Sequence, residues 1–395
     1  MRNSERYLLG IDIGGTGCKA GVYLHGETVG QGYHEHRMIS TIPGQAEQDA
    51  NAWWEGAVFS IRQAIKDVPA EKISAIGIGC TNGLVAVDET CKPLRPAIML
   101  WDQRAFPQVE YLKSIINPEE IFSICGNPVA PGTYSLPTIL WLKQDEPEIF
   151  AKAYKFLVPG GYLIAKMTGN FTIDHSRACT TLLFDIRQKQ WHQPFLDELG
   201  IPNEKLPEPV KPEKVVGWVT KEVSKITGLK EGTPVIGGCM DTLGAAIGAD
   251  CVMPGDYFII MGTAARVVVS LDKPIFDPSF MNCTSVFPDR WLEFGAINGV
   301  GSALRWTRNE LAIPEQEIAN STGRNVYELI TEQAQTSPPG GKGLLFLPYM
   351  SGERTPVWDP NARGVFLGMT LGHTRADIFR TILEGPALPG VVPTV

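Results

Sequence analysis

The residues best suited to chemistry lie near the start of the chain, where an acid and a glycine-rich turn follow an apolar run. Asp12 lies at the end of that run, and a second apolar run that contains Lys19 follows the turn. The turn consists of Gly14, Gly15, Thr16 and Gly17. Glycines let backbone amides crowd around an anion, so the turn predicts a nest for phosphate oxygens, with Lys19 among the phosphate-binding candidates. Asp12 would face the same point and could hold Mg²⁺.

This turn does not fit the two most familiar phosphate motifs. The Walker A pattern needs Gly-Lys-Ser/Thr at the start of a helix, whereas Lys19 follows Cys18 inside a strand-like run. The Rossmann fingerprint also needs a helix after its glycines, and the sequence suggests none here. A hairpin whose glycines only make the turn fits this stretch as well as a phosphate loop does.

A second acid follows a glycine pair in the middle of the chain. The stretch from Thr233 to Thr242 reads as a strand, then Gly237 and Gly238, then Asp241 at the opening of a small-residue helix that runs to Gly248. An acid in the first turn of a helix lies against the positive end of the helix dipole, which favours its ionised form. Asp241 could then accept a proton from a bound hydroxyl, although an N-cap role explains the same acid.

The strand–turn–strand pattern of the first 24 residues occurs again in the second half of the chain. An apolar strand that ends at Met261 is followed by Gly262 and Thr263 and then by another strand. Two halves with one glycine turn each could clamp a nucleotide phosphate chain, as in the actin-like, RNase-H-like ATPases. We therefore expect an α/β protein with two RNase-H-like domains of the actin/hexokinase type, residues 1–245 and 246–395, and a cleft between them.

Polar side chains follow two further apolar segments. Asn82 comes directly after a buried strand that ends at Cys80, and Asp102 and Arg104 follow the run that ends at Trp101. Ligands of α/β folds collect at the ends of strands, so these residues are candidates for contacts with a polar substrate. Asp102 could instead cap a helix over residues 105–116.

Composition excludes several classes of protein. The chain has 395 residues and a net charge of −8, which argues against a nucleic-acid or anionic membrane surface. It has no apolar run of about 18 residues that would span a membrane. Its eight cysteines are scattered without the spacing of a zinc site, which predicts reduced, buried thiols and a cytoplasmic protein. We interpret His25, His34 and His36 as solvated surface residues.

Taken together, these motifs resemble the FGGY carbohydrate kinases, and most closely their xylulokinase-like branch. The resemblance runs from about Tyr7 to Gly385. Its most specific part is the segment from Leu347 to Pro356, which reads Leu-Pro-Tyr-Met-Ser-Gly-Glu-Arg-Thr-Pro. The other matching segments are Asp12 to Thr16, Glu47-Gln48-Asp49 with Trp53-Trp54, Pro96 to Arg104, Gly237 to Asp241, Gly262-Thr263, Arg363 to Gly368, His373 to Arg375 and Leu383 to Gly385.

The resemblance implies a cytoplasmic sugar kinase that transfers the γ-phosphoryl group of ATP to a sugar or polyol hydroxyl. By family position, Asp241 is the base, Asp12 organises Mg²⁺ and phosphate, and Asn82 and Asp102 belong to the sugar-binding face. Thr16 and Thr263 with their glycines line the phosphate path, and Gly301 lies near the nucleotide. The implied ligands are ATP, Mg²⁺ and a sugar, and a homodimer is a further expectation because dimers are common in the family.

Departures from the family pattern bear on the substrate. Xylulokinases usually carry Met-His where this chain has Thr81-Asn82, and glycerol kinases follow a similar Thr-Asn with residues that are absent here, since this chain continues Gly83-Leu84. The expected substrate is therefore a ketopentose or a related sugar acid or polyol, without a choice among them.

A further departure concerns the end of the chain. Family members continue for roughly another hundred residues, the margin needed to close a second domain of typical size. Here Gly385 is followed by a proline-rich segment that cannot continue a helix. This predicts an incomplete second domain and, as the alternative function, an impaired relic that binds sugar without turnover. The glucokinase-like repressors, which carry a zinc motif absent here, and the actin-like ATPases are less compatible with the sequence.

Overall fold

The computed structural model describes residues 6–39, 42–130, 133–359 and 361–387. By its internal contacts the chain divides into two compact units. The first comprises residues 1–252, 272–276 and 282–292, and the second comprises residues 253–271, 277–281 and 293–395. The proline-rich tail from residue 388 lies outside the described residues, so the expectations about it stay untested.

The elements up to residue 252 are mixed α and β. The strands are β1 (Tyr7–Ile13), β2 (Gly17–Leu24), β3 (Glu27–Glu35), β4 (Glu47–Gln48), β5 (Ile73–Cys80), β6 (Gly83–Val87), β7 (Ala97–Met99), β8 (Lys155–Leu157), β9 (Thr172–Asp174), β10 (Phe184–Asp185), β11 (Gln190–Trp191), β12 (Glu208–Val210), β13 (Val215–Trp218), β14 (Pro234–Ile236) and β15 (Cys239–Met240). The helices are α1 (Ala50–Ala64), α2 (Phe106–Ile115), α3 (Pro118–Cys125), α4 (Ser135–Asp145), α5 (Pro147–Lys152), α6 (Pro159–Thr168), α7 (His175–Ala178), α8 (Gln193–Leu199), α9 (Lys221–Thr227) and α10 (Asp241–Gly248).

The remaining elements follow the same alternation. The strands are β16 (Tyr257–Met261), β17 (Ala265–Leu271), β18 (Met281–Thr284), β19 (Trp291–Ile297), β20 (Leu345–Leu347) and β21 (Val365–Leu367). The helices are α11 (Gly301–Glu310), α12 (Ile313–Thr322), α13 (Val326–Gln335) and α14 (Arg375–Glu384). Short 3₁₀ helices cover Ala70–Lys72, Cys179–Thr181, Asn203–Lys205 and Gly341–Gly343.

The main sheet of the first unit has the order β13-β14-β5-β1-β2-β3, with β15 also paired to β5. Strands β1, β2 and β3 form an antiparallel meander, and β5 runs parallel to β1. Helix α1 packs on one face of this meander. Gly32 permits the close approach, because a Cβ at this position would lie 2.1 Å from the Ser60 carbonyl oxygen. The core between them contains Leu9, Ile11, Val22, Trp53 and Ile61, all at most 2% exposed.

The second unit has its own core around its helices. Phe379 of α14 packs with Ile330 and Ala334 of α13. A neighbouring cluster joins Ala303, Phe346 and Ile382. Strands β16 and β17 form an antiparallel hairpin whose turn contains Gly262 and Thr263, as the sequence predicts.

Two local expectations need correction. Asp102 does not cap a helix, because α2 begins at Phe106 after Ala105, which makes no side-chain cap. Asp241 is the first residue of α10 and not its N-cap, which is Met240. Helices α4 and α5 follow each other without forming one helix, because Pro147 cannot donate the backbone bond that would continue α4.

The cysteines are as the sequence predicts. All eight cysteines are free, and seven of them are buried. Burial raises the pKa of the Cys80 thiol to about 11, which keeps it protonated near neutral pH. Among the described residues, no helix is long and apolar enough to cross a membrane.

His175 makes the stability of the fold dependent on pH. It is 9% exposed and lies against the Phe184 ring, and burial lowers its pKa to about 4. The unfolded chain therefore binds more protons below about pH 6.5, and stability falls as the pH drops from 6.5 toward 4. We expect the lowered pKa of this histidine to reduce the free energy of unfolding by about 2 kcal/mol over this pH range, after allowance for solvent screening.

Urea unfolding of the wild type and of His175→Phe at pH 7 and pH 4.5 measures this loss as the difference in pH dependence between the two proteins. His175→Phe retains an aromatic ring against Phe184 and should flatten the pH dependence. His25→Asn, at an exposed histidine, should leave it unchanged. Equal pH dependence in the wild type and in His175→Phe would contradict the assignment.

Candidate active site

Backbone amides donate hydrogen bonds to three carbonyl oxygens in and beside the first glycine turn. Thr81 N donates to the Ile13 oxygen at 2.8 Å, and Gly14 N donates to the Gly17 oxygen at 2.9 Å. His36 N donates to the Thr16 oxygen at 3.0 Å.

Two buried side chains take the remaining carbonyls of the turn. His36 Nε2 lies 2.9 Å from the Gly14 oxygen, and Gln48 Nε2 donates to the Gly15 oxygen at 2.7 Å. Both residues are buried, at 6% and 1% exposed, respectively. The interpretation of His36 as a solvated surface residue was therefore wrong, because the fold turns the end of β3 back over the turn.

The amides at the tip of the turn, unlike its carbonyl oxygens, make no hydrogen bond within the described residues. Among the described residues, the N–H groups of Gly15 and Thr16 donate to no protein acceptor. Thr16 is exposed and Gly15 is half-buried. Occupied carbonyls and unbonded amides on one turn give the electrostatic pattern of an anion nest.

Asp12 lies at the end of β1, next to this turn. Burial raises the pKa of Asp12, and the nearby Asp241 carboxylate raises it further, against the opposing effects of Lys19 and Arg177. Its Oδ1 atom is buried, with no hydrogen-bond partner among the described residues. A buried carboxylate oxygen without a donor is costly, and a bound cation would relieve that cost.

Asp12, Lys19 and Asp241 line the same cavity of the first unit, with a volume of about 1170 Å³. Lys19 is paired with Asp12 across the β1–β2 hairpin, as the sequence predicts for a strand residue. Gly79, at the end of β5, also lines the cavity and is paired with Asp12 in the sheet. A Cβ at Gly79 would lie 3.7 Å from Asp12 Oδ1, so glycine keeps the space beside this carboxylate open.

The Asp241 carboxylate is held from two directions. Its Oδ1 atom accepts from Thr242 N at 2.7 Å, and Arg177 Nη2 lies 3.4 Å away. The Asp241 side chain is 31% exposed, whereas that of Arg177 is 2% exposed. A carboxylate that two donors orient and that keeps 31% of its surface exposed can meet a substrate hydroxyl.

Arg177 is itself fixed by α7 and β5. Its Nε atom donates to Cys80 Sγ at 3.3 Å, and Asp174 caps the start of α7 by accepting from the Arg177 amide. Ser176 Oγ bonds to Asp174 and accepts from Met240 N at 2.9 Å, next to Asp241 in the chain. Sequence reasoning missed Arg177, because nothing in its local pattern shows that α7 lies beside the start of α10.

Asn82 is buried, and its side chain bonds within the protein. Its Nδ2 atom donates to the Thr133 oxygen, and its Oδ1 atom accepts from Gly83 N at 3.1 Å. It is 8% exposed and is not among the residues that line the described cavity. A sugar-binding role for Asn82 stays a prediction.

Asp102 and Arg104 lie together, in a buried ion-pair cluster. Asp102 accepts from Ala46 N at 2.6 Å and from Arg104 Nη2 at 2.8 Å. Arg104 also pairs with Glu47 at 2.6 Å, and its guanidinium lies 5.0 Å from the Trp141 ring centroid. The charges of both residues are therefore compensated within the protein, and their contact with a substrate stays a prediction.

The second glycine turn has its own support within the second unit. Gly301 N donates to the Gly262 oxygen at 3.0 Å, and Ser302 N donates to the Thr263 oxygen at 3.1 Å. The start of α11 thus binds the tip of the β16–β17 hairpin. Gly301 is required for this contact, since a Cβ there would lie 2.4 Å from the Gly262 oxygen.

A buried acid supports the approach to α11. Glu353 Oε1 accepts from Asn298 N at 2.9 Å and from Arg354 N at 2.8 Å. Arg354 Nε in turn donates to Asn298 Oδ1 at 2.9 Å. The most specific motif of the sequence, which contains Glu353 and Arg354, therefore fixes the segment that leads to Gly301.

Comparison with solved structures defines the class of the protein as the two-domain sugar kinases. A xylulose kinase from Lactobacillus acidophilus matches with a TM-score of 0.88 at 28% identity, over 96% of this chain and 76% of that chain. A gluconate kinase from the same organism matches with a TM-score of 0.89 at 28% identity, over 97% of this chain and 76% of that chain. The mixed α/β, two-domain expectation is confirmed.

The particular family follows from the sequence matches. Residues 7–248 match the N-terminal domain of the FGGY family of carbohydrate kinases, and residues 257–389 match its C-terminal domain. The chain belongs to this family, and it is a phosphotransferase that uses ATP and a sugar.

Curated relatives carry two different substrate names. A gluconokinase from Bacillus subtilis is 30% identical over 382 residues, covering 96% of this chain and 74% of the relative. A xylulose kinase from Staphylococcus epidermidis is 31% identical over 388 residues, covering 96% of this chain and 75% of the relative. Similarity at this level defines the reaction class and leaves the sugar open.

Gly301→Ala tests the support of the second glycine turn. The added methyl group would push against the Gly262 carbonyl, so we expect a loss of about 1–3 kcal/mol in the free energy of unfolding and a raised KM for ATP. Gly372→Ala is the matched control, because a Cβ there meets only Thr370 Oγ1 at an ordinary 3.6 Å. Urea unfolding and ADP-release kinetics measure the two effects. A Gly301→Ala variant that is as stable and active as the control would contradict a role of Gly301 in supporting the second glycine turn.

Proposed function

We propose that the chain transfers the γ-phosphoryl group of ATP to a hydroxyl of a ketopentose or a related sugar acid or polyol. The observation that carries this proposal is the shared cavity of Asp12, Lys19 and Asp241 beside a glycine turn with two unbonded amides. Phosphoryl transfer depends on positioning and on neutralising phosphate charge, and these groups suit that task. The names of the relatives make xylulose and gluconate the first sugars to examine.

Asp241 is the proposed general base. Arg177 and the Thr242 amide hold one of its oxygens, and the cavity leaves the carboxylate accessible. From the first turn of α10, this carboxylate could take the proton of the attacking hydroxyl.

The phosphate groups would be bound by amides and by a lysine. The N–H groups of Gly15 and Thr16 are unbonded in the described chain, and Lys19 lines the adjoining cavity. In the second unit, Gly262, Thr263 and Gly301 remain proposed contacts of the nucleotide.

Asp12 is the proposed ligand of Mg²⁺. Its buried, unpartnered Oδ1 atom fits a hard cation, which proteins often hold through one or two carboxylates together with phosphate oxygens and water. The bound ion would neutralise charge on the phosphate oxygens. A cytoplasmic location and a homodimer stay predictions.

Asp241→Asn tests the base. The amide retains the shape and an oxygen acceptor but cannot take a proton, so we expect kcat to fall by about 10²–10⁴-fold while sugar binding persists. The assay is ADP release with Mg-ATP across ketoses, polyols and sugar acids that include xylulose and gluconate. Sugar binding is measured by calorimetry.

The outcomes of this assay are distinct. Turnover with one sugar that is lost in Asp241→Asn would support the proposal and identify the substrate. Full activity in the variant would remove the base assignment. Sugar binding by the wild type without ADP release from any sugar would favour the relic that binds without turnover.

Asp12→Asn separates function from stability. In the absence of a divalent metal, the variant should have a higher melting temperature, because it removes a buried carboxylate whose pKa is raised by burial and by Asp241. Its kcat with Mg-ATP should fall by about a hundredfold or more. Asp67→Asn, at an exposed acid, is the control for both measurements. A lower melting temperature in Asp12→Asn than in the control would contradict the electrostatic argument.

A further inference from the structure

Five consecutive carbonyl oxygens, from Ile13 to Gly17, accept hydrogen bonds from the protein. Three of these bonds come from backbone amides, which any sequence could supply. The other two come from the side chains of His36 and Gln48, and these bonds depend on residue type. They bind Gly14 and Gly15, the carbonyls that immediately precede the unbonded amides of Gly15 and Thr16.

A peptide plane fixes the relation between these groups. The carbonyl of one residue and the amide of the next point in opposite directions across the same planar unit. Holding the Gly14 carbonyl toward His36 therefore points the Gly15 amide away from His36. Holding the Gly15 carbonyl toward Gln48 does the same for the Thr16 amide.

The chemistry of His36 fits a donor role. A carbonyl oxygen only accepts, so the Nε2 atom that lies 2.9 Å from the Gly14 oxygen carries the proton. Its Nδ1 atom is buried and has no partner among the described residues. Burial lowers the pKa of His36, which is consistent with a neutral ring.

Gln48 is fixed in its donor orientation by a third residue. Trp53 Nε1 donates to Gln48 Oε1 at 2.9 Å, and an indole N–H cannot accept. The amide oxygen of Gln48 therefore faces Trp53, and its NH₂ group faces the Gly15 carbonyl. Trp53 is fully buried in α1, so this orientation is anchored in the core.

We propose that His36 and Gln48 are positioning residues that turn the Gly14 and Gly15 carbonyls away from the phosphate site and thereby present the Gly15 and Thr16 amides to phosphate oxygens. This inference rests on the proposed function, since it assigns the supports of the turn that would bind the phosphates of ATP. Rotatable glycine peptides need such supports, because they can turn a carbonyl toward the same point and repel an anion.

Calorimetric titration with inorganic tripolyphosphate tests the turn without requiring turnover. His36→Leu should weaken tripolyphosphate binding by about tenfold, because the Gly14 carbonyl loses its buried donor. His36→Gln, whose amide can reach the same carbonyl, should retain affinity within about threefold of the wild type. Gln48→Leu should weaken binding as His36→Leu does, and His25→Asn should have no effect.

Steady-state kinetics provides a second measurement that a merely structural role would not reproduce. His36→Leu should raise KM for ATP and leave KM for the sugar within about twofold. If His36→Leu does not fold, His36→Asn replaces it, because its side chain is too short to reach Gly14.

The inference is overturned if the folded wild type does not bind tripolyphosphate, or if the leucine and glutamine variants bind it with equal affinity. It is supported if the glutamine variant alone retains affinity. Failure of the proposed function gives a different result, in which tripolyphosphate binding depends on His36 but no sugar stimulates ADP release.

Discussion

Two carboxylates in one cavity set the main electrostatic constraint on the first unit. Burial raises the pKa of the Asp12 carboxyl, and the charge of the nearby Asp241 raises it further. Such an arrangement costs stability unless cations offset it. Lys19 and Arg177 supply part of the compensation, and the buried oxygen of Asp12 leaves room for a metal ion. The proposed catalytic site thus carries negative charge that the protein compensates only in part, and the cation bound by a kinase would compensate the rest.

Hydrogen bonds and strand pairing in the surrounding fold fix the positions of Asp12 and Asp241. Ser176 and Asp174 link the start of α7 to the backbone next to Asp241, and Arg177 extends from α7 to the carboxylate. On the other side of the cavity, β1 places Asp12 opposite Lys19 and beside Gly79. Because strands and helix ends position each group, the site has little need for side-chain flexibility.

The two glycine turns use different supports for a similar shape. Side chains of His36 and Gln48 bind the carbonyls of the first turn, whereas backbone amides at the start of α11 bind those of the second. The second arrangement explains the placement of Glu353 and Arg354, whose bonds to Asn298 fix the chain just before α11. The family's most specific motif in this sequence therefore acts at a distance from the turn that it supports.

The resemblance of the sequence motifs to a kinase family indicated the reaction class. Short apolar runs broken by glycine turns predicted the α/β alternation and the two strand–turn–strand elements, because such runs are typical of strands. The sequence also singled out Asp12 and Asp241 as candidates, since an acid next to a glycine turn is a local pattern. Only the tertiary structure decided which of these groups share a cavity, because β1 and α10 are more than two hundred residues apart in the chain. It also showed that His36 is buried against the first glycine turn and that Arg177 contacts Asp241. The charges of Asp102 and Arg104 compensate each other, which the sequence did not show either. Each of these depends on contacts between distant elements, which residue spacing along one strand or helix does not encode.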